Sequence, residues 1–369
     1  MKTPFLNPKL EGMRFEEHSV PLDVLKDLAA FEDLIVRVAR SIYLSENPNR
    51  KRVPDGFYEG FSLHISGIEN GSAVPVIEQV QPDRLDASKF GPFFERSRDL
   101  VLKTIMAAAI GGAIPTQFPR QYLGYFDQFG KSLRPDERVQ LSVPGRNEPG
   151  AVYNAATRKK LVLMGGAAEY TQTGVLRGHI TAHDIVKHTF ILDTVTGERV
   201  PVEYTADYAD IVRESFDQKR AKKVIVGGLI AYDPNDHPKR IELISHMDQL
   251  ELNDVPARIE EFLLLKDGWL DGDGRAPDPV GIRWLADVWD SLYPESLPKP
   301  YAYPTPDGGI QLEWTKDQWE LSAKIDLEKQ AAELFAVKVG TDEDSDLIVD
   351  LSSPGSWTLL VDFVRSRVS

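Results

Sequence analysis

The residues best suited to metal chemistry are three histidines and an aspartate within ten positions, namely His179, His183, Asp184 and His188. Two histidines four positions apart can bind zinc when they lie on one face of a helix. The segment around them instead predicts a strand and a hairpin, in which His179 and His183 are an even number of steps apart and share one face of a sheet. His179 and His183 are therefore the candidate metal ligands. Because no cysteine and no E-x-x-H pattern accompanies them, we nevertheless expect no metal site and interpret the histidines as residues of a β-surface.

A second metal pattern occurs in a loop where Asp271 and Asp273 alternate like the first ligands of an EF-hand. The rest of that motif is missing. The fifth position is Arg275, the sixth is Ala276 instead of glycine, and the twelfth is Ile282 instead of glutamate. Asp-Gly pairs are also typical of surface turns, which explains this loop better than calcium does.

The common motifs of nucleotide-dependent and hydrolytic enzymes are missing from this sequence. It contains no G-x-G-x-x-G after a predicted strand, no G-x-x-x-x-G-K-[ST], no G-x-S-x-G, no H-E-x-x-H and no set of kinase motifs. It has no cysteine, which excludes disulfides, thiolate metal sites and a cysteine nucleophile. We therefore expect no cofactor and favour a protein that is not an enzyme. A hydrolase or nuclease remains an alternative, because the members of a Ser-His-Asp triad need not be close in sequence.

Between Gly174 and Glu251 the sequence predicts strand, strand, strand, helix, strand and strand. The strands are runs of apolar and β-branched residues bounded by turns, which we place at Val175–Ile180, Thr189–Leu192, Val200–Tyr204, Val224–Ala231 and Ile241–Ile244. Apolar residues at helical spacing predict the helix at Ala206–Asp217. This order resembles that of an OB-type barrel, which has five strands and usually binds a ligand. The resemblance covers about a fifth of the chain and transfers no functional residues, because it includes no diagnostic motif.

Single-stranded nucleic acid is one ligand that such a barrel would bind, through strands 2 and 3 and the loops beside them. The candidate nucleic-acid-binding residues are Lys187, His188, Arg199, Lys219, Arg220, Lys222, Lys223, Lys239 and Arg240. Phe190 and Tyr204 alternate in phase with apolar residues of the predicted core, so the strands offer no obvious stacking platform. The basic run after the predicted helix also has a structural explanation, since cations stabilise the C-terminus of a helix.

Negative charge and tryptophan are concentrated in the last third of the chain. The net charge is −14 over 369 residues, and residues 253–369 hold 11 Lys and Arg against 23 Asp and Glu. All six tryptophans occur in the same segment, at positions 269, 284, 289, 314, 319 and 357. Phosphate backbones are bound by Lys and Arg, so this segment does not favour nucleic acid. Its tryptophans either fill a core or anchor a basic partner protein, and the candidate partner-binding residues are Trp269, Trp314 and Trp319.

The whole sequence predicts a multi-domain α+β protein. We expect an N-terminal α+β domain (1–170), a central OB-like five-stranded β-barrel (171–254) and an acidic, Trp-rich C-terminal α+β domain with an antiparallel meander (255–369). The N-terminal domain is expected to contain helices at Pro21–Tyr43 and Pro92–Ile110, and a hairpin that turns at Asn70 and Gly71. No apolar run approaches the roughly 20 residues that span a bilayer, and the first residues lack a signal-peptide core, so we expect a cytoplasmic protein.

Three hypotheses about function follow. The first is a non-catalytic binding or adaptor protein, for example a subunit or antitoxin-like component of a bacterial stress or defence system. It would engage a protein partner, and the acidic segment favours a basic one. The second is a single-stranded nucleic-acid-binding protein that uses the OB-like barrel. The third is the hydrolase or nuclease named above. We favour the first, because catalytic motifs are missing and the charge is distributed so unevenly.

Overall fold

The structure is a computed structural model that describes residues 2–15, 19–58, 61–69, 73–80, 89–134, 136–146, 148–216 and 222–368. The fold is mixed α+β and contains three five-stranded sheets, one of which closes in a ring. The chain divides into two compact units, one formed by Met1–Thr173 with Ala231–His237 and the other by Gly174–Ile230 with Pro238–Ser369. The α+β class is therefore confirmed, and the division into three domains stays a prediction.

The first unit combines one sheet with helices. Its elements in the described residues are β1 (Lys2–Glu11), α1 (Leu22–Glu46), β2 (Ser62–Glu69), β3 (Val74–Val80), α2 (Gly91–Ala109), β4 (Arg138–Ser142), β5 (Ala151–Asn154) and α3 (Ala155–Met164). The sheet has the order β2-β3-β1-β4-β5. The two helices predicted for this region are confirmed to within three residues at each end. The predicted turn at Asn70 and Gly71 lies outside the described residues.

Strand β1 lies at the centre of this sheet although its sequence contains Pro4 and Pro8, which argue against a central strand. The pairing explains the exception. The first half of β1 is antiparallel to β3, the second half is antiparallel to β4, and a register shift occurs between Pro4 and Leu6. Each proline thus lies in a half-strand that pairs on one side, where a missing backbone N–H is tolerated.

Aromatic side chains fill one end of the core of this unit. Phe57 is fully buried, and its ring lies 5.2 Å from that of Phe94 and 5.4 Å from that of Tyr43. Phe61 and Phe94 stack with centroids 4.2 Å apart. Each such pair of aromatic rings contributes about 1 kcal/mol to stability beyond the effect of the apolar area that it buries. These contacts therefore anchor the loop that contains Phe57 to α1 and α2.

The ring is formed by the segment for which the sequence predicts five strands and a helix. Its elements are β6 (Tyr170–Asp184), β7 (Thr189–Thr194), β8 (Arg199–Glu203), α4 (Ala209–Phe216), β9 (Lys223–Tyr232) and β10 (Pro238–Gln249). Its order is β10-β8-β7-β6-β9. Each of the five strands occurs where the sequence predicts it. The end predicted for the helix, Asp217, lies outside the described residues.

The remaining elements of the second unit follow the ring in the chain. They are α5 (Val255–Glu261), α6 (Pro279–Leu292), β11 (Tyr301–Pro304), β12 (Ile310–Lys316), β13 (Trp319–Asp326), β14 (Ala331–Lys338), β15 (Asp344–Asp350) and α7 (Pro354–Val368). Asp278 caps α6 by accepting a hydrogen bond of 2.7 Å from the backbone N–H of Gly281, and Pro279 follows at the first helical position, where proline is favoured.

Strands β11 to β15 form an antiparallel meander in chain order, which confirms the meander predicted from the sequence. Helix α7 packs on one face of this sheet, where Ile310, Leu312 and Trp314 are buried. Trp357 of α7 is also buried, and its indole N–H donates to the carbonyl oxygen of Leu351 at 3.1 Å. The opposite face of the sheet carries the alternate residues of each strand.

Candidate functional site

The basic residues of the ring are mostly engaged with acids. Four of the candidate nucleic-acid-binding residues form ion pairs: Lys187 with Asp184, Arg199 with Asp193, Lys223 with Glu261, and Arg240 with Glu242. His188, Lys222 and Lys239 are exposed. Lys219 and Arg220 lie outside the described residues. The structure therefore does not gather these cations into one unpaired basic surface.

The outer face of β7 and β8 has no aromatic side chain in the described strands. Phe190 and Tyr204 are buried inside the ring, as their alternation predicts. The residues that alternate outward are Thr189, Ile191 and Asp193 on β7 and Arg199, Pro201 and Glu203 on β8. Bases stack on exposed aromatic rings in single-strand binding sites, and this face offers none.

The two candidate metal ligands lie on opposite faces of β6, so the prediction that they share a face is wrong. Ile180 pairs with Leu192 and His183 pairs with Phe190, with a register shift between Ile180 and Ala182. This bulge inserts one extra residue and reverses the alternation beyond it. His183 therefore faces the inside of the ring, where its Nε2 lies 2.7 Å from the Tyr204 hydroxyl oxygen, while His179 faces outward.

The two histidines do not come together as ligands of one metal ion. Burial is the main cause that lowers the pKa of both His179 and His183, and the nearby cations Lys223 and Arg213 lower it further. No group of three or more His, Cys, Asp or Glu side chains in the described residues is arranged to hold a metal ion. The loop around Asp271 is closed by its own backbone, since Leu270 and Asp273 form a bridge and the Leu270 N–H donates to the Asp273 carbonyl oxygen at 2.9 Å.

The three tryptophans predicted to bind a partner differ in exposure. Trp314 is buried, and its indole N–H donates at 3.0 Å to both the Tyr293 hydroxyl and the Pro298 carbonyl oxygen. Trp319 is half-buried, because the cationic ends of Lys338 and Arg367 lie 5.7 Å and 5.6 Å from the centre of its ring. Trp314 therefore belongs to the core, which is the alternative that the sequence leaves open.

Trp269 is also half-buried, in the loop between α5 and α6. Its indole N–H donates to the Arg275 carbonyl oxygen at 3.1 Å. A Cβ at Gly274 would lie 2.9 Å from the indole nitrogen, so this close packing requires glycine at that position. Trp269 thus stabilises its own loop.

A more exposed apolar surface lies on the face of the C-terminal sheet opposite α7. We call this surface the open face; it consists of the outward side chains of β11 to β15. The register places Tyr301, Glu313, Ser322, Phe335 and Asp346 in one row across the five strands. Two aromatic side chains of this row are largely accessible to solvent: Tyr301 is 63% exposed and Phe335 is 45% exposed.

A second row runs parallel to the first and contains Tyr303, Gln311, Lys324, Glu333 and Ile348. Tyr303 is 45% exposed and Ile348 is 74% exposed. The two tyrosines thus lie at one edge of the sheet, and Phe335 and Ile348 lie near the other edge. Strands are about 4.8 Å apart, so roughly 14 Å of polar surface separates Tyr301 from Phe335.

The open face is strongly acidic. Its outward carboxylates in the described strands are Glu313, Glu320, Asp326, Glu333, Asp344, Asp346 and Asp350. Lys324 is the one basic side chain among these outward positions, and its Nζ lies 2.7 Å from Asp307. The hydrogen bond from Lys324 is the main cause that lowers the pKa of Asp307 to about 2. Lys324 therefore neutralises a nearby acid outside the strands. Among the seven outward carboxylates, Asp326 is paired with Lys329 at 2.7 Å, and the face stays acidic through the others.

The three tryptophans predicted to bind a partner did not indicate this surface. The signal was present in the sequence, where Tyr301 and Tyr303 are two positions apart and Phe335 lies two positions after Glu333. Successive side chains of a strand point to opposite faces of the sheet. An aromatic residue that shares a face with polar residues therefore points away from the core.

The described residues include no helix with both the length and the apolar character needed to cross a membrane. No protein-family model, no curated protein and no solved structure matches this chain.

Proposed function

We propose that this protein is a non-catalytic binding protein that engages a basic protein partner through the open face of its C-terminal sheet. The observation that supports the proposal is the combination of exposed Tyr301, Tyr303, Phe335 and Ile348 with seven outward carboxylates on one sheet face. Tyrosine and phenylalanine supply large contact areas with few rotatable bonds, and they are enriched at interfaces.

The arrangement of this face suits a partner with Lys or Arg between apolar groups. The two tyrosines and the Phe335–Ile348 pair form apolar areas at either side, and Glu313, Glu333 and the neighbouring acids lie between or beside them. An acidic field accelerates the association of a basic partner and disfavours an acidic one. The aromatic side chains then provide most of the affinity when water is excluded around them.

The ring supports a related structural proposal, that the second unit contains an OB-type barrel. Numbered from β6, its strands lie in the order 1-2-3-5-4, and strands 3 and 5 are parallel at Val202 and Ile241. A helix lies between strands 3 and 4, as the sequence order predicts. This topology fits the five-stranded Greek-key barrel of OB domains.

The test is affinity capture of the tagged full chain from the cells that make it, followed by mass spectrometry. The informative variant is Tyr303→Ala with Phe335→Ala, because both side chains point outward and their loss leaves the core unchanged. A matched control is Glu295→Lys, which alters an exposed acid of the same unit outside the sheet. We expect the wild-type chain and the control to retain one stoichiometric basic protein that the double variant loses.

Salt provides a second measurement on the same complex. Raising the ionic strength from about 50 mM to about 500 mM shortens the Debye length from about 14 Å to about 4 Å. The rate of association should then fall by at least about tenfold, as expected for an electrostatically steered complex. Recovery of the same proteins by the wild-type chain and the double variant, or recovery of no basic protein, would refute the proposal.

A further inference from the structure

A cavity of about 500 Å³ opens in the first unit beside the loop that follows α1. Its lining residues are Arg40, Arg52, Val53, Pro54, Asp55, Gly56 and Tyr58. Arg40 belongs to α1 and the others belong to the loop. The volume lies within the roughly 300–1,000 Å³ range of small-molecule sites.

The two arginines of this cavity have no partner among the residues that the structure describes. No hydrogen bond or ion pair joins Arg40 or Arg52 to another residue in the part of the chain that the structure describes. Elsewhere in the same unit, arginines do have partners; Arg14 binds Glu137 and Arg158 binds Asp127. A guanidinium presents a rigid fork of N–H donors that matches a phosphate group. The two unpaired guanidinium groups are therefore available to an anion.

The local charge favours an anion as well. Arg50 and Lys51 precede Arg52 directly and are exposed, whereas Asp55 is the one acid among the described residues of the lining. Clustered cations raise the local concentration of anions even where they do not touch the ligand. The described lining thus carries a net positive charge in a chain whose total charge is −14.

The wall of the cavity includes an aromatic ring on a fixed support. Tyr58 is 49% exposed, and its ring lies 5.5 Å from the ring of the fully buried Phe57 at an interplanar angle of 87°. Because Phe57 is held by other aromatic residues of the core, the position of Tyr58 is set before any ligand binds. Exposed tyrosine rings of this kind stack on nucleobases.

The loop backbone also leaves space at this point. Gly56 has a φ of +82°, a conformation that other residues rarely adopt, and a Cβ built on it meets no atom within 4 Å. Glycine is therefore required by the turn and not by crowding. The turn places Asp55 and Tyr58 in the same lining as the two arginines.

We infer that this cavity binds a small phosphorylated ligand with an aromatic base, that is, a nucleotide. Arg40 and Arg52 bind the phosphate, and Tyr58 stacks on the base. Asp55 is an acceptor for a sugar hydroxyl or a base amino group. This inference is independent of the open face, which belongs to the other unit.

Isothermal titration of the full chain with three probes, ADP, inorganic phosphate and adenosine, tests the inference. Two hydrogen bonds to a charged phosphate and one stacked base each contribute roughly tenfold or more to affinity. We therefore expect ADP to bind at least about tenfold more tightly than phosphate, and adenosine to bind more weakly than ADP by a similar factor. A dissociation constant of about 1 mM describes a very weak complex. If ADP did not bind at that concentration, the inference would be overturned.

Four variants separate a defined site from general positive charge. Arg40→Gln should weaken ADP binding by at least about tenfold, and Arg40→Lys should also weaken it because a point charge replaces the fork. Tyr58→Leu should weaken the binding of ADP by about tenfold but leave that of phosphate unchanged. The matched control is Arg50→Gln, which removes a charge from the same loop without altering the cavity lining.

Two results would overturn the assignment even if ADP bound. One is an equal loss of ADP affinity in Arg50→Gln and Arg40→Gln, which would indicate diffuse attraction without a site. The other is binding of an oligonucleotide about a hundredfold tighter than ADP with no dependence on Tyr58, which would indicate a nucleic-acid backbone as the ligand. Thermal unfolding of each variant confirms that the loop still folds.

Discussion

Arg177 and Glu260 form an ion pair in which the guanidinium group is completely buried. Arg177 is on β6 of the ring and Glu260 is on α5, and the same guanidinium also binds Asp290 of α6. One side chain thus connects the ring to two helices of the second unit. Arg177 and Glu260 lie in the interior, where ionised groups are stable only when they remain paired, whereas the side chain of Asp290 is 39% exposed.

The charge of Glu260 depends on pH near neutrality. Burial, supported by repulsion from Asp287 and Asp290, outweighs the attraction of Arg177 and raises the pKa of Glu260 from 4.5 to about 7. The folded state therefore holds a proton that the unfolded chain has released between these two values. The contribution of this proton to the free energy of unfolding is fully present below about pH 4.5 and is lost as the pH rises through about 7.

We predict that Glu260→Gln removes this dependence on pH. The free energy of unfolding of the wild-type chain should fall by up to about 3 kcal/mol more than that of the variant between about pH 5 and about pH 8. Urea unfolding at several pH values measures the difference. Glu261→Gln is the neighbouring control, since hydrogen bonds from Lys223 and Arg258 outweigh burial and lower the pKa of Glu261. Parallel pH profiles for the wild-type chain and Glu260→Gln would contradict the prediction.

A second prediction concerns Arg177 itself. Arg177→Met leaves Glu260 and Asp290 without their shared cation, which should cost about 3–5 kcal/mol of unfolding free energy at about pH 8. The cost should be smaller at about pH 5.5, because Glu260 is then protonated and needs no counter-charge. Adding Glu260→Gln to Arg177→Met should restore part of the stability at the higher pH. Chemical unfolding of the single and double variants measures both effects, and a loss that does not vary with pH would count against the paired arrangement.

Two adjacent glycines of β9 allow a comparison that tests how closely the strands of the ring are packed. A Cβ at Gly228 would lie 1.9 Å from the backbone oxygen of Leu243, whereas a Cβ at Gly227 would meet the exposed ring of His246 at 1.9 Å. Backbone cannot move without disturbing the strand pairing, but the histidine can rotate away. We predict that Gly228→Ala costs about 3 kcal/mol or more and Gly227→Ala less than about 1 kcal/mol. Thermal unfolding measures the loss of stability in each variant. Equal losses would show that the close approach of the β10 backbone does not require glycine at position 228.

The ring should bind single-stranded nucleic acid only weakly. Most of its described cations are paired with acids, and the outer face of β7 and β8 has no aromatic side chain in the described strands. We predict a dissociation constant no lower than about 10⁻⁵ M for oligo(dT) at physiological salt, which is the nonspecific range. Fluorescence anisotropy measures it. A submicromolar constant that rises tenfold in Arg199→Gln or Lys239→Gln would instead support the nucleic-acid hypothesis.

Local sequence patterns predicted most of the second unit and missed part of the first. Alternation and turn residues indicate the five strands of the ring and the four long strands of the meander, because these strands pair mainly with their neighbours in the chain. The first sheet is different, since β1 pairs with β3 and β4, which follow it by more than 60 residues. The two prolines of β1 argue against a strand when its sequence is considered alone. Only its pairing with β3 and β4 shows that it is one.

The sequence by itself determined the α+β class, the order of elements in the ring and the meander, and the acidity of the last third, because propensity, periodicity and charge are local properties. Tertiary structure alone decided the rest. The bulge beyond Ile180 put His179 and His183 on opposite faces of β6. Packing on one side of the C-terminal sheet buried Trp314, while Tyr301 and Tyr303 on the other side stayed exposed. Packing also brought Arg177 to Glu260 across 83 residues and Arg40 to Tyr58 around one cavity. Such contacts depend on which faces meet in space, and no local pattern contains that information.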